Sequence, residues 1–495
     1  MGKRRNIQAT NAEFELPEPI IHRVKSFLTG KEAAQTTILS KSWRSAWLTR
    51  PNLDFDYNGT GGVDEELLEF AKKTIKRYEE SELSIESFRL CMGSGWYKFY
   101  HGNELIAKAL RMGVTHLTLQ LESYNLDIVL PPEVLAAQNL VGLSVEGCKI
   151  DLGMDQKVRC SRLESLSLNK VLMQQRDMIF NVTSSCPLIQ KLTLSYIYIF
   201  DSKTQSWRLS SYSSDPVNLP MLHKLRCLEL CNVKFDTSFF SDLSSNFPFL
   251  EELTLKHCCT VQEVCSRSLK HLNFAQDDRS SDDRTSVKFD VPSMRTFTFE
   301  GEVIPLVSFK STSSEWESHV SINYKDPLST KWFLELNELL AKLRGSKTSL
   351  SLQVDCRESF DYEVEEIQGL PKHEVEILTM DIECLPSLNC YALFDGLFRF
   401  CRPKFITQYL FPKSYFRWET NNYFLCDTFL VQEMDEKCWM SKHFMYGLHD
   451  LKEVNVQLFD EDVAVWRDLP LKSFLDASKS PKYKRKIRFK LEWEP

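Results

Sequence analysis

A chain of 495 residues with 43% hydrophobic content can hold a few domains or one long repeat array, and it is too apolar to be intrinsically disordered. Its formal net charge of −7 supplies no global field for nucleic acid, so a polyanion-binding role would have to rest on a local patch. The 15 cysteines form no regular framework, and no secretory signal or apolar span of membrane length is read in the chain, so free thiols in the reducing cytoplasm or nucleus are expected.

Residues 1 to about 12 read as a basic arm bearing Lys3-Arg4-Arg5, and Asn6 stands where a myristoylation motif needs Ser or Thr, so no lipid anchor is expected. In LPEPIIHRVKSFL, Ile20, Ile21, Val24, Phe27 and Leu28 recur at helical spacing, with His22, Arg23, Lys25 and Ser26 mostly on the other face. Pro17 suits a first turn and Thr29-Gly30 a stop. A second short helix is expected through KEAAQTTIL, with Ala33, Ala34, Thr37 and Ile38 inward. Ser40 can cap a third, in which Leu39, Trp43, Ala46 and Trp47 share a face before Pro51 ends it.

These residues carry a resemblance. Leu16-Pro17-Glu18, Ile20-Ile21, Val24, Ser26-Phe27-Leu28, Lys31-Glu32-Ala33, Leu39-Ser40-Lys41, Trp43-Arg44 and Trp47, closing on PNLDFD, resemble the F-box of plant F-box/leucine-rich-repeat proteins. Pro19 and Lys25 depart from that pattern, which more often has an acidic and an apolar residue there.

After a break bearing Gly59, Gly61 and Gly62, a helix is predicted from about Val63, with Leu67, Phe70, Ala71, Thr74, Ile75 and Tyr78 at its spacing, then a strand at Ile85, Phe88 and Leu90. The run IESFRL and the NELIAKALRMGVTHLTL beyond it also resemble the plant family. From Leu117 an apolar-x-x-apolar-x-apolar strand recurs: Leu140-Leu143-Val145, Leu163-Leu166-Leu168, Ile189-Leu192-Leu194, Leu225-Leu228-Leu230, Leu250-Leu253-Leu255, Leu269-Leu272-Phe274 and Met294-Phe297-Phe299. Most spacings fall in or near the roughly 20 to 29 residues of a leucine-rich repeat. One strand with its return segment cannot bury its apolar face alone, so neighbours must stack. The polar stretches DSKTQSWRLSSYSSDPVN and AQDDRSSDDRTS read as exposed insertions, with Tyr196, Tyr198, Phe200, Trp207 and Tyr212 beside the first expected to pack beneath it. Beyond Gly301 the pattern is irregular, with a helix expected from Trp332 to Leu343, and FDGLFRFCRPKFI resembles late repeats of the same family. In Lys482 to Lys490 and the residues after it, Ile487, Phe489, Leu491 and Trp493 alternate with charges as on a half-buried strand.

No phosphate-binding glycine loop, nucleophile elbow or H-E-x-x-H pair occurs. His257-Cys258-Cys259 with Cys265 lacks a zinc spacing and reads as core residues at a repeat turn. Glu374, Glu376, Asp381 and Glu383 read as the solvated teeth of strands. Neither catalysis nor a cofactor or metal is expected.

The fold expected is α/β: a three-helix F-box at 12–56, a connecting segment at 57–112, leucine-rich repeats at 113–300 and irregular C-terminal repeats at 301–495, forming a curved solenoid. The resemblance implies a substrate-recruiting ubiquitin-ligase subunit that binds a Skp1-like adaptor, and through it a cullin, with the repeats holding a target protein. It assigns Leu16, Pro17, Ile20, Ile21, Val24, Leu28, Leu39, Trp43 and Trp47 to adaptor binding, some of them doubling as module core. Alternatives are a non-degradative scaffold and a hormone sensor using the repeat surface. Neither nucleic acid nor membrane is an expected partner.

Overall fold

The computed structural model describes residues from Leu16 to Glu494, leaving out 26, 29, 57–63, 94–98, 122–127, 152–157, 176, 202–203, 205, 213–215, 259–260, 277–285, 356–362, 384–387, 409–448, 461–464 and 470–486. The chain is a mixed α/β protein that divides into two units, Met1–Leu225 and Arg226–Pro495.

The first unit opens with helices α1 (Glu18–Lys25), α2 (Gly30–Gln35) and α3 (Lys41–Leu48), with a 3-10 turn Thr36–Ile38 before α3. It continues through β1 (Asn52–Asp56), α4 (Asp64–Glu80), β2 (Ser87–Met92), α5 (Phe99–Arg111), β3 (His116–Leu121), α6 (Pro132–Ala136), β4 (Gly142–Glu146), β5 (Lys149–Ile150), β6 (Ser165–Asn169), β7 (Leu172–Met173), α7 (Met178–Ser184), β8 (Lys191–Ser195), β9 (Tyr198–Asp201) and β10 (Ser206–Leu209). Strands β1, β2, β3, β4, β6 and β8 pair in parallel in that order. The register puts Leu53, Phe88, Leu117, Leu143, Leu166 and Leu192 in one row and Phe55, Leu90, Leu119, Val145, Leu168 and Leu194 in the next. Every one of these is at most 2% exposed, so the two apolar positions of each repeat build one continuous core. Gly147, at φ +78°, follows β4 where a Cβ would overlap the Leu121 carbonyl oxygen, so only glycine fits.

The second unit holds β11 (Cys227–Cys231), α8 (Leu243–Asn246), β12 (Glu252–Lys256), β13 (Glu263–Cys265), β14 (His271–Gln276), β15 (Val287–Asp290), β16 (Thr296–Gly301), β17 (Val307–Ser311), β18 (Trp316–Tyr324), α9 (Thr330–Lys342), β19 (Ser346–Asp355), α10 (Val364–Gln368), β20 (His373–Glu383), α11 (Leu388–Phe398), β21 (Cys401–Gln408), β22 (Leu451–Asp460), β23 (Val465–Leu469) and β24 (Ile487–Trp493). Strands β11, β12, β14, β16, β18, β19, β20 and β21 again form a parallel ladder. In the row of Leu228, Leu253, Leu272 and Phe297, the next positions are Ser318 and Thr348, both buried. Their hydroxyls are 2.9 Å apart and Ser346 joins them, so the polar pair is satisfied internally.

Two features differ from the sequence expectation. Parallel order stops at β21: β24 pairs antiparallel with β21 and β22, and β22 with β23. Only residues 461–464 separate β22 from β23, too few for the crossover of a dozen or more residues that a parallel pair needs, so the C-terminal strands are not further parallel repeats. The first serine-rich insertion is also not all loop, because β10 folds back antiparallel on β9 with the Phe200 and Trp207 rings in edge contact at 5.2 Å. Residues 277–285 of the second insertion, the glycines at 59, 61 and 62, and the basic arm lie outside the described residues, while Ala275 and Gln276 at the start of that insertion belong to β14.

Candidate functional site

The N-terminal helical module has a small core, formed by Ile21, Ala33 and Ala46 with the buried Lys25 and Arg50. Ser40 caps α3 as its sequence position predicts, its hydroxyl accepting from the Trp43 N–H at 3.3 Å. Lys25 points inward, against the expectation that it shares the solvent face of α1. Its ammonium donates to the Trp43 carbonyl and lies over the Trp43 and Trp47 rings, 5.6 and 5.9 Å from their centroids. Burial, and then the neighbouring Arg50 charge, hold the Lys25 amine below the usual lysine range.

The C-terminal end of α3 is tied down by three donors. Arg50 Nη1 donates to the Trp47 carbonyl at 2.8 Å, with its guanidinium 3.4 Å over the Trp47 ring, and Arg77 Nη2 donates to the Leu48 carbonyl at 3.3 Å. Tyr78 Oη donates to the Arg50 carbonyl at 2.7 Å, all three meeting carbonyls at or just beyond the helix end. Burial pushes Arg50 down to about 10, against the raising influence of Tyr78. Arg77 and Tyr78 belong to α4, so the module is fixed to the first long helix behind it. Arg89 on β2 adds to this by pairing with Asp54 at 3.0 Å and Asp56 at 3.3 Å on β1 and with Gln120 Oε1 at 2.7 Å on β3. Tyr78→Phe removes one buried hydrogen bond and is expected to cost about 1–2 kcal/mol, read by denaturant unfolding. A change below a few tenths would show that the tie carries no load.

What the core leaves outside is unusual. Fourteen large hydrophobic side chains are exposed among the described residues, and six of them, Leu16, Ile20, Val24, Phe27, Ile38 and Leu39, fall within this one module. Phe27 is 74%, Ile38 87% and Leu39 63% exposed. Full burial of a side chain of this size is worth about 1.5–3 kcal/mol, so each of these side chains has that much to gain from being covered.

Comparison with known proteins bears on the repeats behind this module. A family model described as "FBD-associated F-box protein At5g56370, LRR repeats" matches residues 103–219, which include β3, β4, β6 and β8. The Arabidopsis thaliana F-box/LRR-repeat protein At3g59200 is 30% identical over 209 residues, covering 40% of this chain and 38% of the relative. Over these regions the chain is similar to plant F-box/leucine-rich-repeat proteins. The Arabidopsis thaliana F-box/FBD/LRR-repeat protein At2g04230 is 29% identical over 186 residues, covering 36% of this chain and 41% of the relative. The putative F-box protein At1g49610 from the same plant is 28% identical over 265 residues, covering 50% of this chain and 62% of the relative. The matched regions therefore span less than two thirds of these relatives.

Against that family pattern, the residues assigned from sequence divide into two groups. Leu16, Pro17, Ile20, Val24 and Leu39 are exposed, and Leu28, Trp43 and Trp47 half-buried, whereas Ile21 is fully buried as core. Ile38 was expected inward and instead lies at the end of the 3-10 turn, facing solvent. The helical pattern of KEAAQTTIL breaks at Thr36, which rotates the residues after it off the helix face. Phe27, assigned no contact role from sequence, lies just beyond the end of α1 with Arg23 stacked over its ring at 5.0 Å. Its exposure could be found only by seeing where α1 stops.

Elsewhere, no three His, Cys, Asp or Glu side chains gather as metal ligands among the described residues. Cys258 is buried with its thiol directed at the Leu230 carbonyl, and Cys259 lies outside the described residues. Glu374 and Glu376 face Lys404 at 4.0 and 3.1 Å, an ion-paired strand surface. No helix among the described residues is long and apolar enough to cross a membrane.

Proposed function

We propose that the chain is the substrate-recruiting subunit of a Skp1-cullin-F-box type ubiquitin ligase, with no bond chemistry of its own. In this reading α1, α2 and α3 are a three-helix F-box that seats on a Skp1-like adaptor, and the stacked repeats hold the target. The observation that carries the reading is the cluster of exposed Ile20, Val24, Phe27, Ile38 and Leu39 on a module whose core is already complete without them. Ile20, Val24 and Leu39 keep the adaptor-contact role assigned from sequence, and Phe27 and Ile38 join them; Ile21 supports the surface from within.

The target is presented rather than transformed: holding it near a ubiquitin-loaded enzyme raises the effective concentration of its lysines at the thioester. Such presentation needs a stiff link between the gripping module and the repeats next to it. The carbonyl ties from Arg77 and Tyr78, and the bridge from Arg89 to β1, supply that link within the first unit.

The test is capture of a purified Skp1-like adaptor by the full chain. Ile20→Asp combined with Phe27→Asp is expected to reduce capture at least about tenfold, since anchors of this kind dominate an interface, while circular dichroism stays unchanged. Full capture by that variant would refute the assignment of this face.

A further inference from the structure

The second unit contains a groove that the adaptor reading does not use. Gly345, at φ +98°, turns the chain from the end of α9 into β19. Beside this turn Arg344 and Lys347 line a cavity of about 670 Å³ together with Lys372, His373 and Lys404. A second cavity of about 520 Å³ shares Lys372, Glu374 and Lys404 with the first and continues to Phe405, Leu491 and Trp493. The two adjoin as one groove through these shared residues: around the first, four cations face the two carboxylates of Glu374 and Glu376, and the second adds aromatic surface among mixed charges.

The charges in it are not all spoken for. Lys404 is held by Glu376, Lys372 by Asp450, and Arg402 by Asp450 and the Glu494 carbonyl. Arg344 and Lys347 have no ionic partner among the described residues, and both are exposed. Beside them, the Nε2 atom of His373 is buried and has no hydrogen-bond partner among the described residues. Burial, and then the Arg344 charge, lower the His373 pKa, so its ring is neutral near pH 7 and carries an unused hydrogen-bonding nitrogen.

We propose that this groove binds an acidic peptide segment of a partner protein, with carboxylates on Arg344 and Lys347 and an apolar side chain toward Phe405 and Trp493. Charge complementarity selects this occupant. The whole chain is net negative at −7, so two cations with no ionic partner among the described residues form a local exception at one groove end that an anionic group would find. A nucleic-acid backbone fits less well, because Glu374 lines both cavities and Glu492 and Glu494 the far one, so carboxylates along the groove would repel a continuous run of phosphates. A peptide can place its carboxylates at the cationic end only. That the peptide would belong to a ubiquitination target rests on the proposed function; binding itself does not.

The experiment is fluorescence anisotropy of the full chain with a labelled peptide, Glu-Asp-Glu-Ser-Leu-Phe, against the matched Gln-Asn-Gln-Ser-Leu-Phe. The acidic peptide is expected to bind more tightly than the neutral one, and Arg344→Glu with Lys347→Glu is expected to weaken it at least about tenfold. Arg344→Gln with Lys347→Gln should fall between, and Lys331→Glu, on the exposed side of α9 outside the groove, should change nothing. Equal binding of the two peptides, no binding, or binding indifferent to the double reversal would overturn the proposal. So would single-stranded DNA that binds more tightly than the acidic peptide and is lost in the same reversal, which would assign the groove to nucleic acid. Adaptor capture measured on the same preparations separates the two readings: lost capture with retained peptide binding strikes the proposed function and leaves the groove standing.

Discussion

Arg399→Ala is expected to destabilise the second unit by about 3–5 kcal/mol, the cost of breaking a buried ion pair by removing one member. Asp395 is 2% and Arg399 9% exposed, and Arg399 Nε and Nη2 both reach Asp395 Oδ2, at 3.1 and 2.8 Å. Around them Leu393, Phe394, Leu397, Phe398 and Phe400 are at most 2% exposed, so neither charge has water to fall back on. Removing Arg399 takes two charge-assisted hydrogen bonds from a buried carboxylate. Replacing both charges, as Asp395→Leu with Arg399→Met, should restore most of the loss, because a well-packed apolar pair has no desolvation to overcome. Denaturant unfolding followed by far-ultraviolet circular dichroism reads the difference. A single variant within about 1 kcal/mol of wild type would mean that the pair is solvated in practice.

The second large effect separates the two neighbours at the start of the chain. Ile21→Asp places an unpaired carboxylate at a fully buried position and is expected to unfold the helical module, at about 3 kcal/mol or more. Ile20→Asp, one residue earlier at 47% exposure, should leave the module folded and weaken only partner capture. Limited proteolysis within residues 16–50 distinguishes them: rapid cleavage for Ile21→Asp, wild-type resistance for Ile20→Asp. The opposite pattern would reverse the inner and outer faces of α1.

That contrast also shows what the residues alone reveal. The repeat strands could be read directly, because two apolar positions recurring two residues apart can face only one side of a strand, and Leu117, Leu143, Leu166 and Leu192 do share one buried row. The capping serine at Ser40 and the inward face of α9, with Trp332, Leu336, Leu339, Leu340 and Leu343 all buried, followed equally local rules. The face of α1 did not. Ile20 and Ile21 both fit an apolar stripe, and the buried one, Ile21, shares its face with Lys25, whose turn inward to the Trp43 carbonyl no periodicity signals. The groove in the second unit was hidden for a similar reason, since β20 and β24 are far apart in sequence and join one groove only through pairing with β21.

Hydrogen exchange of the full chain with and without a purified Skp1-like adaptor probes the exposed module face most directly. Slowed exchange is predicted in peptides spanning Leu16 to Val24 and Phe27 to Leu39, with the β3 to β8 strands unchanged. Protection confined to the repeat strands, with those opening peptides exchanging as in the free chain, would contradict the reading of the helical module as the adaptor-gripping surface.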